Sequence, residues 1–166
     1  MRFCLIPDIT APDVFTVTPD LLCDRGITLL LLDLDNTLAP YSEDMPSERI
    51  LRWMEGHRAA GISLFIVSNN RSDARVSRYA AACDIPFISR AGKPHPRGLE
   101  TAMAQMGRRR EEAALMGDQV FTDALAANRA GMLSIVVKPL DIPNVLFRLR
   151  YFIEQPIRRL SKERYR

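Results

Sequence analysis

The sequence predicts an α/β protein built on a doubly wound, mainly parallel sheet, on three observations. Short apolar runs alternate with helical stretches about five times from residue 27 onward. The runs are nearly continuous rather than alternating, as in strands buried on both faces. A length of 166 residues accommodates one compact domain and is short for two.

The first strand falls at residues 27–32, apolar apart from Thr28, too short for a helix and ended by Asp33. A loop with Asn36, Pro40 and Ser42 leads to a helix from about Pro46. Its Ile50, Leu51, Met54 and His57 share one side, and Gly61 stops it. Residues 62–67 form the second strand, broken only by Ser63, and 73–82 a helix with an alanine-rich face. A short third strand at 86–89 precedes a helix at 97–106, where Leu99, Met103 and Met106 recur at helical spacing before Gly107. Residues 113–116 are the fourth strand, 122–130 a helix closed by Gly131, and 133–137 the fifth strand. Repeated βαβ units put helices on both faces and ligands beyond the carboxyl ends of the strands. Residues 1–26, with Pro7, Pro12 and Pro19, read as an irregular arm packed on the same domain. The core then spans 27–140, and 141–166 form a basic, amphipathic tail.

Composition excludes several classes. Hydrophobic residues make up 47% and charged residues 26%, so the chain has the means to bury a core. No apolar run approaches the roughly 20 residues that span a bilayer. Arg2 and the brief stretch 3–6, cut by Pro7 and Asp8, do not resemble a secretory signal. Cys4, Cys23 and Cys83 have neither paired spacing nor an even count, which fits buried apolar roles in a reducing cytoplasm. The net charge of +3 is unevenly placed: residues 144–166 hold seven basic and two acidic side chains, leaving −2 for the rest.

The polar residues that end the apolar runs are the candidates for chemistry. Asp33 and Asp35 end the first run; two carboxylates this close repel unless a cation or protons compensate. Ser68, Asn69 and Asn70 end the second, where a hydroxyl and free N–H groups suit an anion or simply cap a helix. Lys93, between Gly92 and Pro94, follows the third and taken singly reads as a solvated charge. Gly117-Asp118-Gln119 ends the fourth, with Asp123 five positions beyond Asp118. Each set has a bland loop or capping role by itself. Together, at successive strand ends, they make an oxygen-rich site for a hard cation, with a hydroxyl and an ammonium for a phosphate. His95, between two prolines, reads as a loop residue.

Asp33-Leu34-Asp35-Asn36-Thr37-Leu38, Ser68-Asn69-Asn70, Lys93-Pro94 and Gly117-Asp118-Gln119-Val120-Phe121-Thr122-Asp123 resemble the four motifs of the haloacid dehalogenase-like superfamily. The match covers about residues 27–140 and is nearest to the subfamily IIIA phosphatases, within them the YqeG-type group that includes phosphatidylglycerophosphatases. The resemblance implies a Rossmann-like core, with Asp33 as nucleophile and Asp35 as general acid and base. It implies that Thr37 holds Asp35, and that Ser68, Asn69 and Lys93 bind the phosphoryl oxygens. Asp33, the backbone carbonyl of Asp35 and Asp118 would ligate Mg²⁺, and Asp123 would support Lys93 or a metal-bound water. The dehalogenase branch, which lacks the second aspartate, is disfavoured.

The separations of 35 residues from Asp33 to Ser68 and 25 from Ser68 to Lys93 leave no room for an inserted cap domain. The expected activity is a Mg²⁺-dependent phosphomonoester hydrolase, acting on phosphatidylglycerophosphate. The alternatives are a soluble sugar-phosphate or nucleotide phosphatase, or an idle module whose tail binds nucleic acid. A cytoplasmic protein in peripheral contact with the inner membrane face fits the first reading. In the tail, Val145, Leu146, Leu149, Phe152, Ile153, Ile157 and Leu160 form a stripe at helical spacing flanked by basic residues. That stripe packs on the sheet, docks on anionic lipid, or does both, with its first half packed and its second half at the membrane. Pro156 is expected to bend or restart the helix.

Overall fold

The structure is a computed structural model that describes residues 4–142 and 144–165. Arg2 and the first residue of the stretch 3–6, and the last residue of the tail, lie outside these. In chain order come β1 (Ile9–Ala11), α1 (Pro19–Cys23), β2 (Leu29–Leu32), α2 (Glu48–Ala59), β3 (Ser63–Val67), α3 (Asp73–Cys83) and β4 (Phe87–Ile88). These are followed by α4 (Arg97–Gln105), β5 (Ala113–Gly117), α5 (Leu125–Ala130), β6 (Leu133–Val137), α6 (Val145–Arg159) and β7 (Glu163–Arg164). The strands make one seven-stranded parallel sheet in the order β4-β3-β2-β5-β6-β1-β7.

Apolar burial explains the centre of this sheet. All four leucines of β2 are fully buried, each contributing about 2 kcal/mol. They alternate between faces. Leu30 and Leu32 join the core under α2 and α3 with Met54, Val76 and Tyr79. Leu29 and Leu31 join the opposite core under α4 and α5 with Leu99, Ala102 and Ala126. Serine N-caps start the first pair: Ser47 accepts from Ile50 N–H, and Ser72 from Arg75 N–H. From β2 the chain winds outward to β3 and β4, then crosses back to β5 and β6. The switch point therefore lies between β2 and β5, where such sheets bind ligands. Between β2 and β3 the only helix is α2, and between β3 and β4 only α3, so no cap is inserted.

Two expectations need correction. The described part of the N-terminal arm, residues 4–26, is not wholly irregular: β1 pairs with β6, and α1 follows. A three-residue strand between two prolines is too short for a pattern to register. Second, α6 runs through Pro156 as one helix. The missing proline N–H removes one hydrogen bond without ending the helix. Of the apolar stripe of α6, Ile157 packs inward against Val120, Ala124 and Val136, and the rest does not pack on the sheet. The helix turns inward Glu154 and Arg158, both buried, and leaves Val145, Leu146, Leu149, Phe152, Ile153 and Leu160 exposed. The tail then adds β7 beside β1.

Candidate active site

The carboxyl ends of β2, β3 and β5 bring the polar residues together. Asp33 follows β2 directly, and its backbone N–H still bonds to Met116 of β5. The chain then turns sharply through Asn36, which has a left-handed φ of 68°, a conformation asparagine tolerates. The Asn36 amide bonds reciprocally with the backbone of Asp141, 105 residues away, fixing the turn to the segment that leads into α6.

Lys93 is buried, its Nζ 2.6 Å from Asp33 Oδ1 and 2.7 Å from Asp123 Oδ1. Burial alone would lower its pKa, but the two carboxylates outweigh that and hold it charged. Burial raises the Asp33 pKa to about 6 despite the opposing pull of Lys93. Burial, with Asp123 and Asp33 nearby, also raises Asp118 well above the usual carboxylate range. Asp123 sits on a single π turn, Val120–Ala124, against Gly117. A Cβ on Gly117 would lie 2.3 Å from Asp123 Cγ. Only glycine permits that approach.

Asp33, Asp118 and Asp123 each present an oxygen within 4.8 Å of the others. Both oxygens of Asp118 are buried yet accept no hydrogen bond; the nearest cation is Arg150, 3.6 Å away. Orphaned buried carboxylate oxygens are rare, and a hard-oxygen set of this kind fits a divalent cation.

Asp35 does not join that cluster. Its Oδ1 accepts from Arg75 Nε at 2.9 Å and its Oδ2 from Asn70 Nδ2 at 2.7 Å. Arg75 also binds the Pro40 and Glu43 carbonyls and Asp44, holding the loop beside the cleft. The sequence did carry a sign of this contact. Arg75 lies in the first turn of α3, where a cation is unfavourable unless an anion is near.

Two expected roles change. Thr37 Oγ1 donates to Asp33 Oδ2 at 3.3 Å rather than holding Asp35. The tight turn through Asn36 folds residue 37 back over residue 33. Asn69 spends its side-chain amide on the Lys93 backbone, donating to its carbonyl and accepting from its N–H. It thus fixes the lysine loop, with one amide N–H left over at the cleft. Ser68, buried, accepts from Asn70 N–H.

Residues on α6 were missed as well. Arg158 donates to the carbonyls of Val137 and Asp118 and pairs with Glu154. Glu154 accepts from Val120 N–H at 3.0 Å. The helix thereby clamps the loop carrying Asp118. Asp33, Asp35, Tyr41, Ser68, Asn69, Asn70 and Gln119 line a cleft of about 300 Å³. A larger groove of about 910 Å³ opens at the opposite, amino-terminal end of the strands. Its carboxylates, Asp8 and Glu111, are paired with Lys162 and Arg110. The chemistry therefore points to the smaller cleft.

This parallel sheet, with acids at its switch point, is the frame of a hydrolase family whose model, described as haloacid dehalogenase-like hydrolase, matches residues 15–131. The chain belongs to that family and is a phosphatase within it. It is similar to "Probable phosphatase YqeG" of Bacillus subtilis, with 35% identity across 81% of this chain and 77% of that protein. It is 26% identical to "Phosphatidylglycerophosphate phosphatase 1, chloroplastic/mitochondrial" of Arabidopsis thaliana, over 96% of this chain and 47% of the relative. The chain thus spans about half the length of that relative. Among solved structures, the fold resembles 3-deoxy-D-manno-octulosonate 8-phosphate phosphatase from Moraxella catarrhalis. The TM-score is 0.57 and the identity 20%, over 88% of this chain and 81% of that one. Among the described residues, no helix is long and apolar enough to cross a membrane.

Proposed function

We propose that the protein hydrolyses a phosphate monoester through an aspartyl-phosphate on Asp33, with phosphatidylglycerophosphate as substrate and phosphatidylglycerol as product. The observation that carries the chemistry is the buried lysine bridging Asp33 and Asp123, beside the Asp118 carboxylate, whose buried oxygens accept no hydrogen bond. Support for the lipid is the similarity to named phosphatidylglycerophosphate phosphatases.

Asp33 attacks phosphorus, and the ester P–O bond breaks as the acyl phosphate forms. Asp35 gives its proton to the departing alkoxide. It then takes a proton from the water that attacks the same phosphorus and restores Asp33. Arg75 and Asn70 fix Asp35 in both steps. Ser68 and Lys93 face the phosphoryl oxygens and offset their charge. A Mg²⁺ held by Asp33, Asp118 and the backbone carbonyl of Asp35 would supply charge neutralisation at the transferred group. The full set of acids with a buried lysine tells against an idle nucleic-acid-binding module. Work at the cytoplasmic face of a membrane, in peripheral contact with anionic lipid, goes with this substrate.

The test is turnover of phosphatidylglycerophosphate in mixed micelles beside soluble sugar phosphates and nucleotides, with Mg²⁺ and after chelation. Preference for the lipid and loss on chelation are expected. A strong preference for a soluble ester would end the lipid assignment.

A further inference from the structure

We infer that the outward face of α6 and the basic pocket along its edge form a docking site for anionic membrane lipid, holding the cleft at the bilayer surface. The inference deepens the lipid-phosphate reading and rests on it for its purpose, though not for its geometry.

The face itself is unusual. Val145, Leu146, Leu149, Phe152, Ile153 and Leu160 are between 50% and 79% exposed. At helical spacing they share one side of α6, opposite the buried Glu154 and Arg158. The helix is therefore held to the protein by its charged side and Ile157, while the rest of its apolar side faces out. Among the described residues nothing covers this face, and a contiguous apolar patch on a globular protein marks an interaction surface.

The charges beside it select the partner. Arg148 and Arg159 are exposed along one edge of the stripe. On that edge a pocket of about 330 Å³ is lined by Lys138, Arg158, Arg159 and Arg164 with Tyr151 and Tyr165, and by no acidic residue. A cationic pocket beside an apolar helix face matches a bilayer interface, where acyl chains take the stripe and a headgroup phosphate takes Arg159 and Arg164. A second copy of the chain fits less well, because apposing two such faces would bring two basic rims together.

Position ties the surface to the cleft. Phe147 of α6 meets the ring of Tyr41, a cleft residue, at 6.0 Å between centroids. Arg150, from the opposite edge of the stripe, reaches Asp118. A bilayer lying on the stripe is thus adjacent to the mouth through which a lipid headgroup enters.

The experiment uses the full chain with vesicles of phosphatidylcholine alone or with phosphatidylglycerol. Co-sedimentation is read beside p-nitrophenyl phosphate hydrolysis and sedimentation velocity. Binding to the anionic vesicles only, weakening with salt, is expected. Leu149→Glu with Phe152→Glu should abolish binding, and Arg159→Ala with Arg164→Ala should weaken it about thirtyfold. Hydrolysis of the soluble ester should stay unchanged in both variants, which also reports an intact fold. Equal binding to both vesicle types overturns the inference. So does absence of binding to anionic vesicles at low salt, or a dimer that the Leu149→Glu, Phe152→Glu variant dissociates. Vesicle binding without turnover of phosphatidylglycerophosphate would instead refute the substrate and leave the docking face standing.

Discussion

Glu154→Ala should destabilise the protein far more than an ordinary helix substitution. The Glu154 carboxylate is 1% exposed, accepts from Val120 N–H at 3.0 Å and pairs with Arg158 Nη2 at 3.0 Å. Its removal orphans a buried N–H, which costs about 1–3 kcal/mol. It also strips the counter-charge from a buried guanidinium, and breaking such a pair costs about 3–5 kcal/mol in all. Arg158 keeps the carbonyls of Val137 and Asp118 as acceptors, which places the expected loss near the lower end, about 3 kcal/mol. For a chain of this size that corresponds to roughly 6–12 °C in Tm. Urea unfolding followed by circular dichroism measures it, with Glu154→Met, Arg158→Met and the double variant of the two completing a cycle. The double variant should cost less than the two single losses combined, by about 2 kcal/mol, because neither charge is then left alone. A loss below about 1 kcal/mol for Glu154→Ala, or additive single effects, would refute the clamp between α6 and the Asp118 loop.

Asp33→Asn should remove turnover by several orders of magnitude with an unchanged circular dichroism spectrum, since it takes away the nucleophile and little volume; a folded, active variant would exclude the aspartyl-phosphate. Asp118→Ala should weaken Mg²⁺ binding beyond detection by calorimetry while leaving the fold intact. The metal-free protein should lose stability as pH rises. Asp33 titrates at about 6 when folded against 3.8 as a free side chain, so its contribution is full below about 4 and lost through about 6. A Tm difference between the wild type and Asp33→Asn that is flat across that window would contradict the burial of this carboxylate. Gly117→Ala should unfold the loop or displace Asp123, since its Cβ has no space; wild-type activity in that variant would be incompatible with the π turn.

The sequence by itself determined five of the seven described strands and named most of the residues that line the candidate site. Strands β2, β3, β5 and β6 are buried on both faces, so each had to be a nearly unbroken apolar run, and such runs are legible without a partner. Asp33, Ser68 and Asp118 were legible for the same reason, being the first polar residues after those runs. Tertiary structure alone decided the rest. Ile9–Ala11 is a strand only because the edge of β6 offers hydrogen bonds to it. Arg75 meets Asp35 across 40 residues of chain, and Asn69 serves the Lys93 backbone across 24; no local period encodes either distance. The tail is the sharpest case. Helical spacing determined that α6 has an apolar side, but periodicity is silent on which side turns inward. The buried Glu154–Arg158 pair, completed by Val120 N–H and two backbone carbonyls, supplies enough hydrogen bonding to bury charge in place of leucine and phenylalanine. Those partners exist only once β5, β6 and the π turn are assembled.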